Sequence, residues 1–161
     1  MSQHPYDFII AGGGLAGLSL ACHMVRTSLR DRRVLIVDSD PKKQNDRTWG
    51  FWTDEATIFD AAVSHRWSQM RIVDEASGPR RIPLGDYRYQ VIRGIDFYET
   101  ARRDLAQYPN VTFLQGRVEA IEDGRDLACV TVDGARYCAR WVFDSLPTRL
   151  SDGIYQVLRM H

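Results

Sequence analysis

Apolar residues fall along this chain either in short unbroken runs or in alternation with polar ones, and the two patterns predict different elements. Phe8-Ile9-Ile10-Ala11 and Val34-Leu35-Ile36-Val37 are unbroken runs of the kind found in strands buried on both faces of a parallel sheet. Between them, residues 15 to 28 read as a helix. A polar loop follows from Ser39 to Asn45, and then an aromatic-rich segment that ends at Trp52. Ser68 to Asp74, Arg80 to Leu84 and Tyr87 to Ile92 read as short strands parted by turns at Ser77-Gly78-Pro79 and Gly85-Asp86, which predicts an antiparallel insertion over about residues 66 to 93. Asp96 to Gln107 reads as a helix whose face carries Phe97, Ala101, Leu105 and Tyr108, and it ends at Pro109. Val111 to Leu114 reads as a third parallel strand. Gly116 to Glu122, Leu127 to Val132 and Ala135 to Arg140 then form a meander with turns at Asp123-Gly124 and Asp133-Gly134, and Trp141 to Asp144 returns as a buried strand ending in an acid.

The junction between the first strand and the first helix carries the strongest chemical signal. Gly12, Gly14 and Gly17 form a G-x-G-x-x-G turn in the strand-loop-helix setting that gives this motif its meaning. Gly12 permits the tight turn, Gly14 lets a pyrophosphate approach the backbone, and Gly17 lets helix and strand pack closely. Phosphates would sit on the helix N-terminus, at Leu15 and Ala16, where unpaired N–H groups and the dipole favour an anion. Asp38 closes the second strand, 21 residues after Gly17, where a carboxylate accepts from ribose hydroxyls and repels a 2′-phosphate. Ser39 beside it belongs to the same expected contact. The alternative is a βαβ unit whose glycines only make a turn.

Composition narrows the picture without redirecting it. With 161 residues the chain is read as a single domain or a piece of one, large enough for a real core. Lys+Arg 21 balances Asp+Glu 21, so charge offers no reason to expect nucleic acid. Cys22, Cys129 and Cys138 are odd in number and form no C-x-x-C pair, which indicates neither a disulfide framework nor a zinc site and suggests a reducing, cytoplasmic setting. The histidines His4, His23, His65 and His161 fall at no metal spacing, so no metal is expected. No signal peptide or membrane-spanning run is visible, which leaves at most peripheral contact with the inner face of a membrane.

The element order, βαβ, insertion, αβ, meander, β, is that of large two-domain flavoproteins, an α/β Rossmann-like class; a dehydrogenase repeats βαβ units without a meander. Within it, Asn45-Asp46-Arg47-Thr48-Trp49-Gly50-Phe51-Trp52 is more specific than any glycine loop. Together with Gly12 to Ala21, Val34 to Asp40 and Val142 to Pro147, it resembles the signature of the lycopene cyclases, and the resemblance covers nearly the whole chain. It implies a FAD-binding domain similar to that of the aromatic hydroxylases and glutathione reductase, present here as the N-terminal portion of a longer protein. It also implies an acyclic carotenoid, lycopene, as substrate and a non-redox closure of its ends to β-rings. FAD is expected in reduced form, with NAD(P)H as electron source. The proposed catalytic acid of the family is expected beyond His161, so the catalytic residue is unknown here and this portion is expected to be inactive alone. Rival readings are a flavin mono-oxygenase or carotenoid or geranylgeranyl reductase of the same fold, and a non-catalytic nucleotide-binding module.

The residues themselves support several roles. Arg47 is close enough in sequence to Asp38 to reach a pyrophosphate or ribose as a bidentate donor, or it makes a surface salt bridge. Trp49, Phe51 and Trp52 either line an apolar tunnel whose ring faces stabilise a carbocation, or pack a core. Asp46 orients Arg47, joins acid chemistry, or caps a helix or turn. By analogy with aromatic hydroxylases, Val118 stands where backbone groups hold adenine. Asp144 resembles the acid that approaches the flavin side of the cleft, although Ser145-Leu146-Pro147 follows it in place of a glycine, and Leu146 replaces the basic residue common there.

Overall fold

The computed structural model describes residues 6–74 and 78–146; Ser77 of the predicted turn, Pro147, His4 and His161 lie outside them. The chain divides into two compact units, Met1–Pro41 with Ala101–His161, and Lys42–Thr100.

The first unit is built on a parallel sheet of β1 (Phe8–Ala11), β2 (Val34–Asp38), β8 (Val111–Gln115) and β12 (Trp141–Asp144) in the order β12-β1-β2-β8. The central pair is buried because its runs are apolar on both faces. Ile9, Leu35 and Val37 point to one side, where they form a buried cluster with Val130, Val132 and Ala139 of the meander, β9 (Val118–Glu122), β10 (Ala128–Val132) and β11 (Ala135–Ala139). Ile10 points to the other side, toward Gly17 in helix α1 (Leu15–Met24), whose Leu18, Ala21 and Cys22 are fully buried. The fold is thus the layered α/β arrangement expected, with helix on one face of a parallel sheet and meander on the other.

Helix α1 stops at Met24 rather than at residue 28. Thr27 explains the early end, since its hydroxyl donates to the Met24 carbonyl at 2.9 Å and accepts from the Leu29 amide at 3.2 Å, offering the backbone a turn in place of another helical bond. Arg26 then pairs in bidentate fashion with Asp104 near the end of α2 (Gly94–Leu105), at 2.7 and 2.8 Å.

The second unit is antiparallel. It contains a three-stranded sheet of β3 (Thr48–Thr53), β7 (Arg88–Arg93) and β4 (Val63–Trp67), ordered β3-β7-β4, and a hairpin of β5 (Gln69–Asp74) and β6 (Gly78–Pro83). The antiparallel pairing therefore takes in Thr48–Thr53 as well as the stretch from 66 to 93.

One expectation is overturned. Cys129 and Cys138 are joined in a disulfide across β10 and β11, with Cα atoms 4.1 Å apart, while Cys22 is free and buried. The hairpin turns at Asp133 (φ 46°) and Gly134 (φ 79°), the backbone of a two-residue type I′ loop. Counting outward from that turn makes 129 and 138 direct neighbours, in the closer, non-hydrogen-bonded kind of antiparallel pair. The odd cysteine count conveyed nothing of this register, and it gives no ground for a reducing compartment. Burial pushes the Cys22 thiol up to about 12. Alkylating the native protein at neutral pH is therefore expected to leave Cys22 unmodified, whereas unfolding without reductant exposes one thiol and unfolding with reductant three; mass spectrometry of the three samples checks the pairing.

Candidate functional site

The glycine turn sits at the C-terminal ends of β1, β2 and β12, where ligands bind in open parallel sheets. Its glycines have separate reasons to be glycine. Gly12 has φ +110°, and a Cβ there would lie 2.5 Å from Ser145 Oγ. A Cβ on Gly17 would fall on the Gly12 carbonyl oxygen and come 2.9 Å from Ile10 Cγ2. Gly14, the residue just before α1, has nothing within 4 Å of the position its Cβ would take. Space beside Gly14 is what a phosphate approaching the backbone requires. Leu15 and Ala16 are exposed at the first turn of α1, where amides have no partner within the helix.

Asp38 is drawn into the same loop. Its Oδ2 accepts from the Gly13 amide at 2.7 Å and its Oδ1 from the Asp40 amide at 2.7 Å. A side chain on Gly13 would press on Asp38 at 3.1 Å, so the middle glycine of the triplet exists for this carboxylate, not for the fingerprint. Sequence reasoning missed that role, though three successive glycines where two suffice were a legible signal. Ser39, next in the chain, is an exposed bend residue.

Val118 and Asp144 complete the neighbourhood in the first unit. The Gly116 amide donates to the Asp38 carbonyl at 3.1 Å, which ties the start of the meander to the end of β2 two residues before Val118. Val118 itself is half-buried against the meander cluster. Asp144 pairs with Ala11 in register and is exposed, with its Oδ1 accepting the Leu146 amide at 2.9 Å. Ser145 follows: its amide donates to the Ala11 carbonyl at 2.9 Å, and its Oγ lies 3.0 Å from the carbonyls of both Ala11 and Gly12.

The remaining candidates lie in the second unit. Asn45 and Arg47 cap the start of α2: Asn45 Oδ1 accepts from the Ile95 amide at 3.4 Å, and the Arg47 carbonyl from the Gly94 amide at 2.7 Å. Asp46 accepts the Tyr98 hydroxyl at 3.1 Å and pairs with Arg47 at 3.5 Å, with both partners part-exposed. Trp49, Phe51 and Trp52 do not share one surface. Trp49 packs edge-on against Phe97 and Tyr98, at 5.5 and 6.0 Å between ring centroids, and Phe51 shares its side of the strand. Trp52 stands on the opposite, exposed face, 4.9 Å from Tyr89, which lies 6.0 Å from Trp67, which in turn stacks on His65 at 5.6 Å. Gly50 makes room for this row, because a Cβ there would collide with the Tyr89 hydroxyl.

Behind the row, Gln90 is fully buried, with its Oε1 accepting from Arg66 Nε at 2.8 Å and Arg66 in turn 3.0 Å from Asp60. A hydrogen bond from the Thr57 amide, ahead of the Arg66 charge, holds the Asp60 carboxyl below its usual range. Trp49→Ala is expected to destabilise the protein by about 3 kcal/mol through lost ring packing. Trp52→Ala should cost less than about 1 kcal/mol, the worth of a cross-strand aromatic pair. Urea unfolding of both variants separates the two faces.

Comparison with known proteins bears on the fold and the family. Among solved structures, p-nitrophenol 4-monooxygenase PnpA from Pseudomonas putida DLL-E4 superposes with a TM-score of 0.68 at 15% identity, over 86% of this chain and 40% of its own. PqsL from P. aeruginosa, as a variant, gives 0.65 at 17% identity over 85% and 41%. Halogenase PltM, solved with phloroglucinol and FAD, gives 0.61 at 15% identity over 88% and 34%. At such identities the likeness is one of fold alone, and this chain spans about two-fifths of the length of PnpA. No curated protein matches. The family model described as lycopene cyclase protein matches residues 7–159, almost from end to end, and the chain belongs to the lycopene cyclase family.

Proposed function

We propose that this chain supplies the dinucleotide-holding part of a FAD-dependent lycopene cyclase, an isomerase that closes the ends of lycopene to β-rings without net redox change. The observation that carries the reading is the family match over residues 7–159, supported by a glycine turn with open space at Gly14. The residues present fit FAD. The open space at Gly14 is a cradle that any side chain would fill, the first amides of α1 would meet a pyrophosphate, and Asp38, hydrogen-bonded to the Gly13 amide, would accept from an adenosine ribose. Val118, at the start of β9, and Asp144, at the end of β12, would contribute from the same unit.

Bound FAD, reduced by NAD(P)H, would supply electron density to a cationic reaction without being consumed. The chain's own contribution is to bind and orient that group and to present aromatic faces. The exposed row of Trp52, Tyr89 and Trp67 suits a polyene, since ring faces attract developing positive charge. A lipid-soluble substrate fits peripheral contact with a membrane; among the described residues no helix is long and apolar enough to cross one.

The test is to purify the complete reading frame that contains this chain, follow flavin retention by absorbance, and supply lycopene in liposomes with reduced FAD. Retained flavin and β-ring products on chromatography are expected. Oxygenated or reduced carotenoids would instead establish a redox enzyme of the same fold, and absence of flavin with absence of turnover would leave only a structural module.

A further inference from the structure

The peptide unit joining Gly12 to Gly13 is gripped at both ends. Its N–H donates to Asp38 Oδ2 at 2.7 Å, and its carbonyl lies 3.0 Å from Ser145 Oγ. Ser145 has one hydroxyl proton and two carbonyls within reach. The Ala11 carbonyl already receives the Ser145 amide at 2.9 Å, so the proton is best placed on Gly12. A trans peptide is planar and rigid, with its N–H and C=O pointing opposite ways, so fixing the carbonyl aims the amide.

We propose that Ser145 is a positioning residue for the dinucleotide: through the Gly12–Gly13 peptide it holds the Asp38 carboxylate in the attitude that receives the ribose. The relay runs Ser145 O–H to Gly12 C=O, then Gly13 N–H to Asp38, across the ends of β12, β1 and β2, which are neighbours in the sheet. Each link polarises the next. The relay also gives the first glycine of the turn a second reason to lack a side chain, because a Cβ at Gly12 would occupy the approach of the Ser145 hydroxyl at 2.5 Å. Asp38 therefore acts as one end of a three-strand clamp that a second-strand acid alone would not disclose.

The inference rests on the dinucleotide reading, and the experiment separates the two. In the flavin-free protein of complete reading frame, FAD is titrated by fluorescence into wild type, Ser145→Ala, Ser145→Thr, Asp38→Ala and the Ser145→Ala/Asp38→Ala double variant, with thermal melts of each. Ser145→Ala is expected to weaken binding on the order of tenfold, the worth of one hydrogen bond. Ser145→Thr, which keeps the hydroxyl, should bind within about twofold of wild type, and Ser145→Ala should add less than about twofold once Asp38 is gone. An unchanged Kd in Ser145→Ala, or the same tenfold loss with Asp38 absent, overturns the relay. Failure of wild type to bind FAD instead overturns the dinucleotide reading. Should Ser145→Ala not fold, Ser145→Cys, a weak donor of similar size, takes its place in the same cycle.

Discussion

Gly14→Val is expected to strip the protein of its flavin while leaving the fold intact. Nothing stands within 4 Å of a Cβ at Gly14, and the residue has φ −84°, which any amino acid adopts, so valine meets no strain from the protein. Its methyl groups would instead fill the space through which a phosphate reaches the backbone. Binding should fall by about 1–3 kcal/mol or more, the usual cost of forcing extra carbons into an occupied site, while the melting temperature stays within about 2 °C. Gly17→Ala is the informative contrast. Its single methyl group falls on the Gly12 carbonyl, so α1 must move away from β1, and both stability and flavin retention should drop. Retention of flavin at wild-type occupancy in Gly14→Val would mean that the pyrophosphate does not pass this turn.

Asp38→Ala should weaken FAD binding by about 1–3 kcal/mol through loss of charged hydrogen bonds to the ribose. The substitution also deprives the Gly13 and Asp40 amides of their acceptor, so the loop itself should loosen, and the melting temperature of the flavin-free protein should fall slightly. Affinity for a 2′-phosphorylated nucleotide should suffer less than affinity for its unphosphorylated form, because the repelling carboxylate is gone. Isothermal titration with ADP and with its 2′-phosphate reads this directly. An unchanged Kd for ADP would leave Asp38 as a residue that merely ties the loop.

These two residues were legible in the sequence because local patterns report them: an apolar run, a glycine triplet, a second run ending in an acid. The central strands β1 and β2 were legible for the same reason, since runs apolar on both faces have no other stable place than the middle of a layered fold, whereas Trp141–Asp144, expected as a buried strand, ends the sheet order and has no buried residue. Strand β3 was not, because it carries Trp49 and Phe51 on one side and Trp52 on the other, and aromatics on both faces erase the alternation that marks a half-exposed strand. Strand β4, Val63–Trp67, is largely polar and outward-facing, so it offered no apolar pattern to read. The Cys129–Cys138 pair lay within reach, since the two are equidistant from the Asp133-Gly134 turn, and register follows from the turn once the hairpin is accepted. The grip of Gly13 on Asp38 spans 25 residues, and that of Ser145 on Gly12 spans 133. Contacts at that separation are set by sheet order, which no local pattern encodes.

The central claim, that this chain serves a flavin-dependent ring closure without net redox change, is tested most directly by the mass of the carotenoid product. The complete protein is incubated with lycopene and reduced FAD in parallel in ordinary and in deuterated water, and the products are resolved by chromatography and weighed. A β-ring product with the mass of lycopene in ordinary water, carrying one deuterium per ring in deuterated water, is the predicted result, because a solvent-derived proton starts each closure and a different proton leaves. A product heavier by an oxygen atom, or by added hydrogen in ordinary water, would contradict the account.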